Sequence, residues 1–237
     1  MINHYGSPPY SIALLHGGPG AAGEMAPLAK MLADEFGVLE PHQTADSVWG
    51  QVKELHEQLG DEPRIIVGYS WGAILAYLYA ATYPDAVKKV ILVGSALFDE
   101  KYAHQIEKTR LSRLSEEEQR EFKSASLTKK ISLISKADGF DTEPIAEEVL
   151  FSQEIFDRVW TEAHQMRREG KLLQKRVKCP VVALHGDYDP HPVAGVQEPL
   201  EKAIDDFSMI VLPNCGHKPW IEKQIDFVHV LKGHLRS

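Results

Sequence analysis

The sequence predicts an α/β fold, in which a mostly parallel sheet carries helices on both faces. Short apolar segments rich in β-branched residues alternate with longer amphipathic segments along most of the 237 residues. Strands separated by helices pair in parallel, because each helix returns the chain to the same edge of the sheet. The alternation stops between residues 98 and 178, where charged, helix-forming residues prevail. We therefore expect a core of residues 1–97 and 179–237 and a helical lid inserted at 98–178.

The core elements follow from these patterns in chain order. Residues 11–16 form a continuous apolar run that ends at a glycine-proline turn, as expected of a buried strand. Residues 64–69 form a second such run and lead directly into the apolar helix predicted at 71–81, which must end before Pro84. The remaining predicted strands are 36–39, 87–94, 179–185 and 207–212, and further helices are predicted after Gly23 and over 47–59.

The lid is predicted to be helical, without strands. Ser115 and Glu118 have the spacing of a capping box, in which each side chain bonds a free amide at a helix start. A second helical stretch carries an apolar stripe that must cover another surface. The members of that stripe are Val149, Phe156, Val159, Trp160 and Met166.

Composition excludes several classes of protein. A net charge of −8 and a pI near 5.8 disfavour nucleic acid and anionic membranes as partners, since both require a concentrated basic surface. No apolar run approaches the roughly 20 residues of a membrane span, and residues 1–10 lack the pattern of a secretion signal. We therefore expect a cytoplasmic protein, in which Cys179 and Cys215 are free thiols.

Gly68-Tyr69-Ser70-Trp71-Gly72 matches the pattern Gly-x-Ser-x-Gly at the junction of a predicted strand and a predicted helix. A serine in such a sharp turn is exposed above the sheet, and the flanking glycines give clearance to the neighbouring backbone. The amino terminus of the helix favours negative charge developing at the serine. These features predict Ser70 as a catalytic nucleophile.

The turn His16-Gly-Gly-Pro-Gly20 follows the first predicted strand and can present a backbone amide to a substrate carbonyl oxygen. We expect Gly18 to supply that amide and Trp71, the residue after the nucleophile, to supply a second. Together the two amides would form an oxyanion hole. His16 is interpreted as a structural turn residue, because it precedes the nucleophile in the chain.

His217 is the predicted general base. It follows the last predicted strand and Gly216, and an imidazole can exchange the serine proton at neutral pH. A carboxylate must then orient the imidazole, and the loop after residue 185 offers Asp187 and Asp189. We favour Asp189, which lies further beyond the strand end, and expect Asp187 to cap the turn.

We expect no cofactor and no metal. Asp187, Asp189 and His191 could suggest metal ligands, yet they crowd one loop and no distant partner is evident. The expected partner is a small-molecule or short-peptide substrate. Three aromatic residues, Tyr69, Trp160 and Trp220, are candidates for lining an apolar substrate pocket, although aromatics at such positions more often belong to the core.

Taken together, the motifs resemble the α/β-hydrolase superfamily, which uses the chain order Ser, Asp, His. The pair His16-Gly-Gly-Pro-Gly20 and Gly68-x-Ser-Trp-Gly72 is most similar to proline iminopeptidases and related peptidases. The resemblance implies catalytic roles for Ser70, Asp189 and His217, with Gly18 and Trp71 as the oxyanion hole.

Two features depart from that narrower family. Only about ten residues precede the first predicted strand, so the antiparallel hairpin that usually opens this fold is expected to be missing or reduced. The inserted segment is also short for a proline iminopeptidase, whose cap supplies glutamates that bind the free amine of the substrate. The inserted segment of this chain contains candidate glutamates, but no motif assigns any of them to binding the amine. They are Glu143, Glu147, Glu148, Glu154 and Glu162.

The same triad also serves esterases, lactonases and carbon-carbon bond hydrolases, because the fold does not set the acyl group. These activities remain alternatives to an aminopeptidase. A hypothesis from another class is a hydrolase scaffold that senses a small ligand without turnover.

Overall fold

Seven strands form one sheet in the part of the chain that the computed structural model describes, residues 1–140 and 150–236. In chain order the strands are β1 (Ile2–Tyr5), β2 (Tyr10–Leu15), β3 (Ala21–Ala22), β4 (Gly37–Pro41), β5 (Arg64–Tyr69), β6 (Val87–Val93), β7 (Leu150–Phe151), β8 (Val181–Gly186) and β9 (Phe207–Leu212). Strands β3 and β7 pair with each other in a separate, two-stranded sheet. The order across the main sheet is β1-β4-β2-β5-β6-β8-β9, and the pairs from β4 to β9 are parallel. The predicted fold class is confirmed.

The edge strand β1 was not predicted from the sequence. It pairs antiparallel with β4, joining Ile2 to Pro41 and Tyr5 to Val38, so the expected reduction of the opening hairpin leaves a single antiparallel strand. The four residues of β1 are too few to show a periodicity, and the partner that stabilises them lies more than 30 positions away. Only the assembled sheet provides that partner.

Helices outside the inserted segment cover both faces of the sheet. In chain order the helices are α1 (Ala26–Leu32), α2 (Val48–Leu59), α3 (Trp71–Thr82), α4 (Ala103–Ser112), α5 (Glu116–Ser124), α6 (Leu127–Asp138), α7 (Gln153–Arg168), α8 (Val193–Ala203), α9 (Pro219–Glu222) and α10 (Gln224–Arg236). Those outside the inserted segment are α1–α3 and α8–α10. Ile66 belongs to the apolar cluster that includes α2, α3 and α8, whereas Ile65 and Val67 belong to the cluster that includes α1 and α10. Since both faces are buried, the strands are continuously apolar instead of alternating.

Helices α4 to α7 lie between residues 98 and 178, where the sequence predicts the lid. The predicted capping box at the start of α5 is confirmed, because Ser115 and Glu118 bond each other's backbone amides. The expectation of no strand there is wrong, since β7 pairs with β3 and joins Phe151 to Ala21. Two residues are too short a run for a strand pattern in the sequence. Val149 lies outside the described residues.

Among the described residues, no helix combines the length and the apolarity that a membrane span requires. Cys179 and Cys215 are both free, and Cys215 is buried.

Close backbone packing explains the glycines around Ser70. A Cβ at Gly68 would lie 2.1 Å from the carbonyl oxygen of Gly72, and one at Gly72 would lie 2.4 Å from the carbonyl oxygen of Leu15. Both distances are far below van der Waals contact, so α3 can approach β5 and β2 this closely only because these positions lack side chains.

We expect Gly72→Ala to destabilise the protein by about 1–3 kcal/mol or more, because the backbone must shift to relieve the overlap. Gly233 provides the matched control. It is exposed in α10, and a Cβ there would meet nothing within 4 Å. Gly233→Ala should therefore raise the free energy of unfolding by about 0.5–1 kcal/mol. Urea denaturation measures both changes, and equal effects of the two substitutions would contradict the packing argument.

Candidate active site

The loops that carry the predicted site residues meet at one edge of the sheet. Ser70 follows β5, Asp189 lies beyond β8, and His217 lies beyond β9. The carboxyl ends of parallel strands share this edge, where open α/β sheets bind their ligands. The fold thus brings together residues that are up to 147 positions apart in the chain.

Ser70 occupies a strained turn between β5 and α3. Its φ of 50° and ψ of −111° lie outside the regions that non-glycine residues normally adopt. The surrounding backbone holds it there: its N–H donates to the carbonyl oxygen of Val93, and its own carbonyl oxygen accepts from Ala73 and Ala96. The side chain is partly exposed at the end of the sheet. This geometry matches the turn predicted from the glycine-flanked serine.

His217 lies between Ser70 and Asp189. Its Nε2 is 3.2 Å from Ser70 Oγ, and its Nδ1 is 2.7 Å from Asp189 Oδ2. An Nδ1–H that donates to the carboxylate leaves Nε2 as the acceptor for the serine hydroxyl. Asp187 is exposed and accepts a bond from the Cys215 N–H at 3.3 Å, which suits a residue that supports the turn. The structure therefore places Asp189, not Asp187, beside the imidazole.

Asp189 is a buried carboxylate surrounded by imidazoles. Its Oδ1 accepts from the backbone N–H of His191 at 2.9 Å and from His191 Nδ1 at 2.8 Å, and His185 Nε2 lies 3.6 Å from Oδ2. Burial alone would raise the pKa of Asp189, but His217, His185 and His191 together hold this pKa well below its ordinary value. Asp189 is therefore ionised at neutral pH.

The pKa values of two of these imidazoles are shifted in opposite directions. Burial lowers the pKa of His191 to about 4, so this ring is neutral under ordinary conditions. Burial also disfavours the charged form of His217, but the adjacent Asp189 carboxylate outweighs it and raises the pKa of His217 above its usual value. Asp189 thus stabilises the charged form of the His217 ring.

Asp189, His191 and His217 also form a group that could in principle ligate a metal, with one ligand atom from each residue lying within 4.8 Å of the others. In the structure both imidazoles already donate to the carboxylate. These hydrogen bonds account for the cluster without an ion.

The turn after β2 lies against Tyr69 and Gly72, which flank Ser70 and Trp71. Gly18 has a φ of +29°, and a Cβ at Gly17 would lie 2.7 Å from the Tyr69 ring, so both positions require glycine. Trp71 is the first residue of α3, and its amide therefore has no acceptor within the helix. Its ring donates to Gln51 Oε1 at 2.9 Å and is fully buried.

His16 has a structural position, as the sequence predicts. Its buried ring lies 2.8 Å from the Gly17 carbonyl oxygen through Nδ1 and accepts from the Gln43 N–H through Nε2 at 3.3 Å. Burial lowers its pKa to about 4, which keeps the ring neutral.

The three candidate pocket aromatics occupy different environments. Trp220 is completely buried and packs edge-on against Tyr69, with ring centroids 4.6 Å apart. Tyr69 is also buried and lies 5.0 Å from the His217 ring. Their burial favours packing behind the site over contact with a ligand. Trp160, on α7, is partly exposed and packs edge-on against Trp71 at 5.9 Å.

Two of the five candidate amine-binding glutamates lie among the described residues, and both have partners within the protein. Glu162 accepts the Val48 N–H at the start of α2 at 2.7 Å. Glu154 is largely exposed and pairs with Arg158 one turn along α7. Glu143, Glu147 and Glu148 lie outside the described residues.

Two contacts to the loop of His217 were not predicted from the sequence. The backbone N–H of His217 donates to the carbonyl oxygen of Asp138 at 3.0 Å, and Glu222 accepts from both neighbours of His217. Asp138 is 79 positions away and carries no sequence signal for this role. Glu222 lies five positions after His217, and that proximity alone could have indicated it.

A cavity of about 220 Å³ lies among α4, α5 and α6 and is mostly apolar. Ser70 and His217 are not among its lining residues, but Arg110 is, and Arg110 also forms a bidentate pair with Asp138 at 2.7 and 2.6 Å.

The parallel sheet and the geometry around Ser70 define an α/β-hydrolase. A family model described as serine aminopeptidase, S33 (Hydrolase_4), matches residues 40–224, and the chain belongs to this family of α/β-hydrolases. The chain is thus an enzyme of the hydrolase class.

The individual proteins that resemble this chain match it over different shares of its length. A pimeloyl-[acyl-carrier protein] methyl ester esterase from Chromobacterium violaceum is 24% identical over 247 residues, which cover 95% of this chain and 94% of the esterase. A proline iminopeptidase from Neisseria gonorrhoeae is 29% identical over 98 residues, covering 35% of this chain and 32% of the peptidase. The solved structure of a 2-hydroxy-6-oxo-6-phenylhexa-2,4-dienoate hydrolase from Rhodococcus sp. has a TM-score of 0.68 at 21% identity, covering 98% and 92% of the two chains.

Proposed function

We propose that this chain is a serine esterase that hydrolyses a small acyl ester through an acyl-enzyme. The observation that carries the proposal is the continuous hydrogen-bonded series from Ser70 Oγ through His217 to Asp189, with separations of 3.2 and 2.7 Å. This arrangement supplies a nucleophile, a base and a group that orients the base.

In the first half of the reaction, Ser70 Oγ attacks the ester carbonyl carbon while His217 Nε2 takes the hydroxyl proton. The amides of Gly18 and Trp71 stabilise the oxyanion, and Asp189 stabilises the imidazolium. The tetrahedral intermediate then collapses, and His217 returns the proton to the departing alcohol. The products of this half are an alcohol and a Ser70 ester.

In the second half, His217 takes a proton from water, whose oxygen attacks the acyl carbon. Collapse of this second intermediate releases a carboxylic acid, and the proton returns to Ser70. The neutral ring of His217 is therefore the active form in both halves.

Two observations favour an ester over a prolyl peptide. The similarity that spans both chains is to an esterase, whereas the similarity to the proline iminopeptidase covers 35% of this chain. Glu162 and Glu154, the described members of the candidate glutamate set, bond a helix amide and a neighbouring arginine. Each of these two carboxylates thus already has a partner within the protein.

A panel of substrates tests this proposal. We expect the value of kcat/KM for p-nitrophenyl butyrate, and for methyl esters of medium-chain acids, to exceed that for L-prolyl arylamide at least about tenfold, or ~1.4 kcal/mol in transition-state free energy. Initial rates over a range of concentrations at pH 8 provide the comparison. A higher kcat/KM for the prolyl arylamide than for the esters would favour an aminopeptidase. If the protein turned over neither esters nor arylamides but a ligand raised its unfolding temperature, a sensor would be favoured.

A further inference from the structure

One carboxylate, that of Glu222, binds the loop of His217 on both sides of the histidine. Glu222, the last residue of α9, accepts the N–H of Gly216 through Oε2 at 2.7 Å and the N–H of Lys218 through Oε1 at 3.1 Å. Both residues that flank His217 are therefore fixed by the same side chain. Bonds of N–H groups to a carboxylate are among the stronger hydrogen bonds in proteins.

The same carboxylate connects this loop to the inserted segment. Its Oε2 also accepts the N–H of Phe140 at 2.7 Å, just beyond the end of α6. The N–H of His217 itself donates to the carbonyl oxygen of Asp138, the last residue of α6. Three consecutive amides, those of residues 216, 217 and 218, thus bond to Glu222 and to the end of α6.

The packing leaves little room for the loop to move. A Cβ at Gly216 would lie 2.1 Å from the Asp138 carbonyl oxygen and 2.8 Å from both Glu222 oxygens. The loop also contacts Glu24: Lys218 Nζ lies 3.1 Å from Glu24 Oε1. Glu24 follows the turn that contains Gly18. The loop of His217 is therefore linked to the inserted segment and to Glu24, which follows the predicted oxyanion turn.

His217 has little tolerance for displacement. Its Nε2 is 3.2 Å from Ser70 Oγ, close to the upper limit for a productive hydrogen bond. A small outward movement of the loop would break this contact, and misplacement by about 1 Å costs enzymes on the order of 100-fold in rate.

We propose that Glu222 is a positioning residue, which holds His217 in line with Ser70 by accepting the amides on both sides of it. The inference rests on the proposed role of His217 as general base. Glu222 acts through the loop backbone, so its loss should lower kcat and leave the binding of substrate largely unchanged.

The test compares Glu222→Ala and Glu222→Gln with Asp226→Asn in the full chain. Asp226 is an exposed acidic residue in the first turn of α10, four positions further on, so its replacement removes a nearby charge without touching the loop. Active sites are titrated with a fluorophosphonate, and kcat and KM for p-nitrophenyl butyrate are expressed per titrated site. Thermal unfolding shows whether each variant is folded.

We expect Glu222→Ala to lower kcat per titrated site by about 10- to 100-fold, with KM within about threefold of the starting protein. Glu222→Gln retains one oxygen acceptor and should be intermediate, and Asp226→Asn should match the starting protein. A role in stability alone would lower the unfolding temperature and the titrated fraction but leave kcat per site unchanged. That result in both Glu222 variants would overturn the proposal.

A second readout does not depend on turnover. We expect the proton between His217 Nδ1 and Asp189 Oδ2, which are 2.7 Å apart, to give a far-downfield proton resonance. This resonance should be broadened or lost in Glu222→Ala and retained in Asp226→Asn. If the starting protein hydrolyses no ester, the proposed function fails, and the resonance alone decides the role of Glu222. An unchanged resonance in folded Glu222→Ala would contradict it.

Discussion

Replacing Ser70 with alanine is expected to lower kcat for p-nitrophenyl esters by about 10⁶-fold, the scale of loss known for nucleophile knockouts in serine hydrolases. The oxygen that forms the acyl-enzyme is removed, and water would have to replace it without the alignment that the turn provides. The hydroxyl contacts His217 at 3.2 Å, whereas the bonds that hold the turn are made by the backbone of Ser70. The variant should therefore fold like the starting protein.

The measurement combines turnover with covalent labelling. A fluorophosphonate probe should label the starting protein at Ser70 and leave Ser70→Ala unlabelled, with both proteins showing the same circular dichroism spectrum. Ser95→Ala is the matched control, because Ser95 is a buried serine beyond the neighbouring strand β6 whose hydroxyl donates to the Ala96 carbonyl oxygen. Full activity or labelling in Ser70→Ala would refute the proposed nucleophile.

The second large effect is expected from Asp189→Asn. An asparagine is nearly isosteric but carries no charge to stabilise the imidazolium, and it does not select the tautomer with a proton on Nδ1. The corresponding change in other serine hydrolases costs about 10⁴-fold in kcat, and we expect a similar loss here. Asp187→Asn is the matched control from the same loop. Its amide oxygen can still accept the Cys215 N–H, so activity should stay within a few-fold.

The pH dependence of kcat/KM adds an independent check. His217 must be neutral to accept the serine proton, so activity falls as the pH drops through its pKa. Burial opposes the charged ring, but Asp189 raises this pKa above the ordinary value, which puts the acid limb of the starting protein above a pH of about 6.5. Removing the carboxylate charge should move the limb to lower pH in Asp189→Asn. Equal losses in the Asp187 and Asp189 variants, or a limb that does not move, would argue against Asp189 as the orienting acid.

The two histidines that hydrogen-bond to Asp189, His191 and His217, differ in the pH range in which they titrate. His191 donates to Oδ1 and has a pKa lowered to about 4, so it contributes no charge in the range where His217 titrates. Its bonds hold Asp189 with one oxygen directed at His217. His191 therefore does not contribute to the acid limb.

The sequence by itself determined the parts of this protein that are encoded over a few neighbouring residues. The strand, serine and helix at 64–82 follow from a β-branched run, two glycines and an apolar helix, and the clearance expected at Gly68 and Gly72 is present. Each of these features is a local steric or periodic constraint, which one segment carries without its partners. The chain order Ser, Asp, His was expected instead from the resemblance of the motifs to the α/β-hydrolase superfamily.

Only the tertiary structure decided which side chains meet. It placed Asp189 instead of Asp187 against His217, buried Trp220 behind the site, and paired β1 and β7 with strands elsewhere in the chain. It also brought Phe140 and the loop of His217 onto Glu222, across 82 positions in the case of Phe140. Hydrogen bonds over such separations leave no periodicity or turn signal, because they depend on how whole helices and loops pack at the sheet edge.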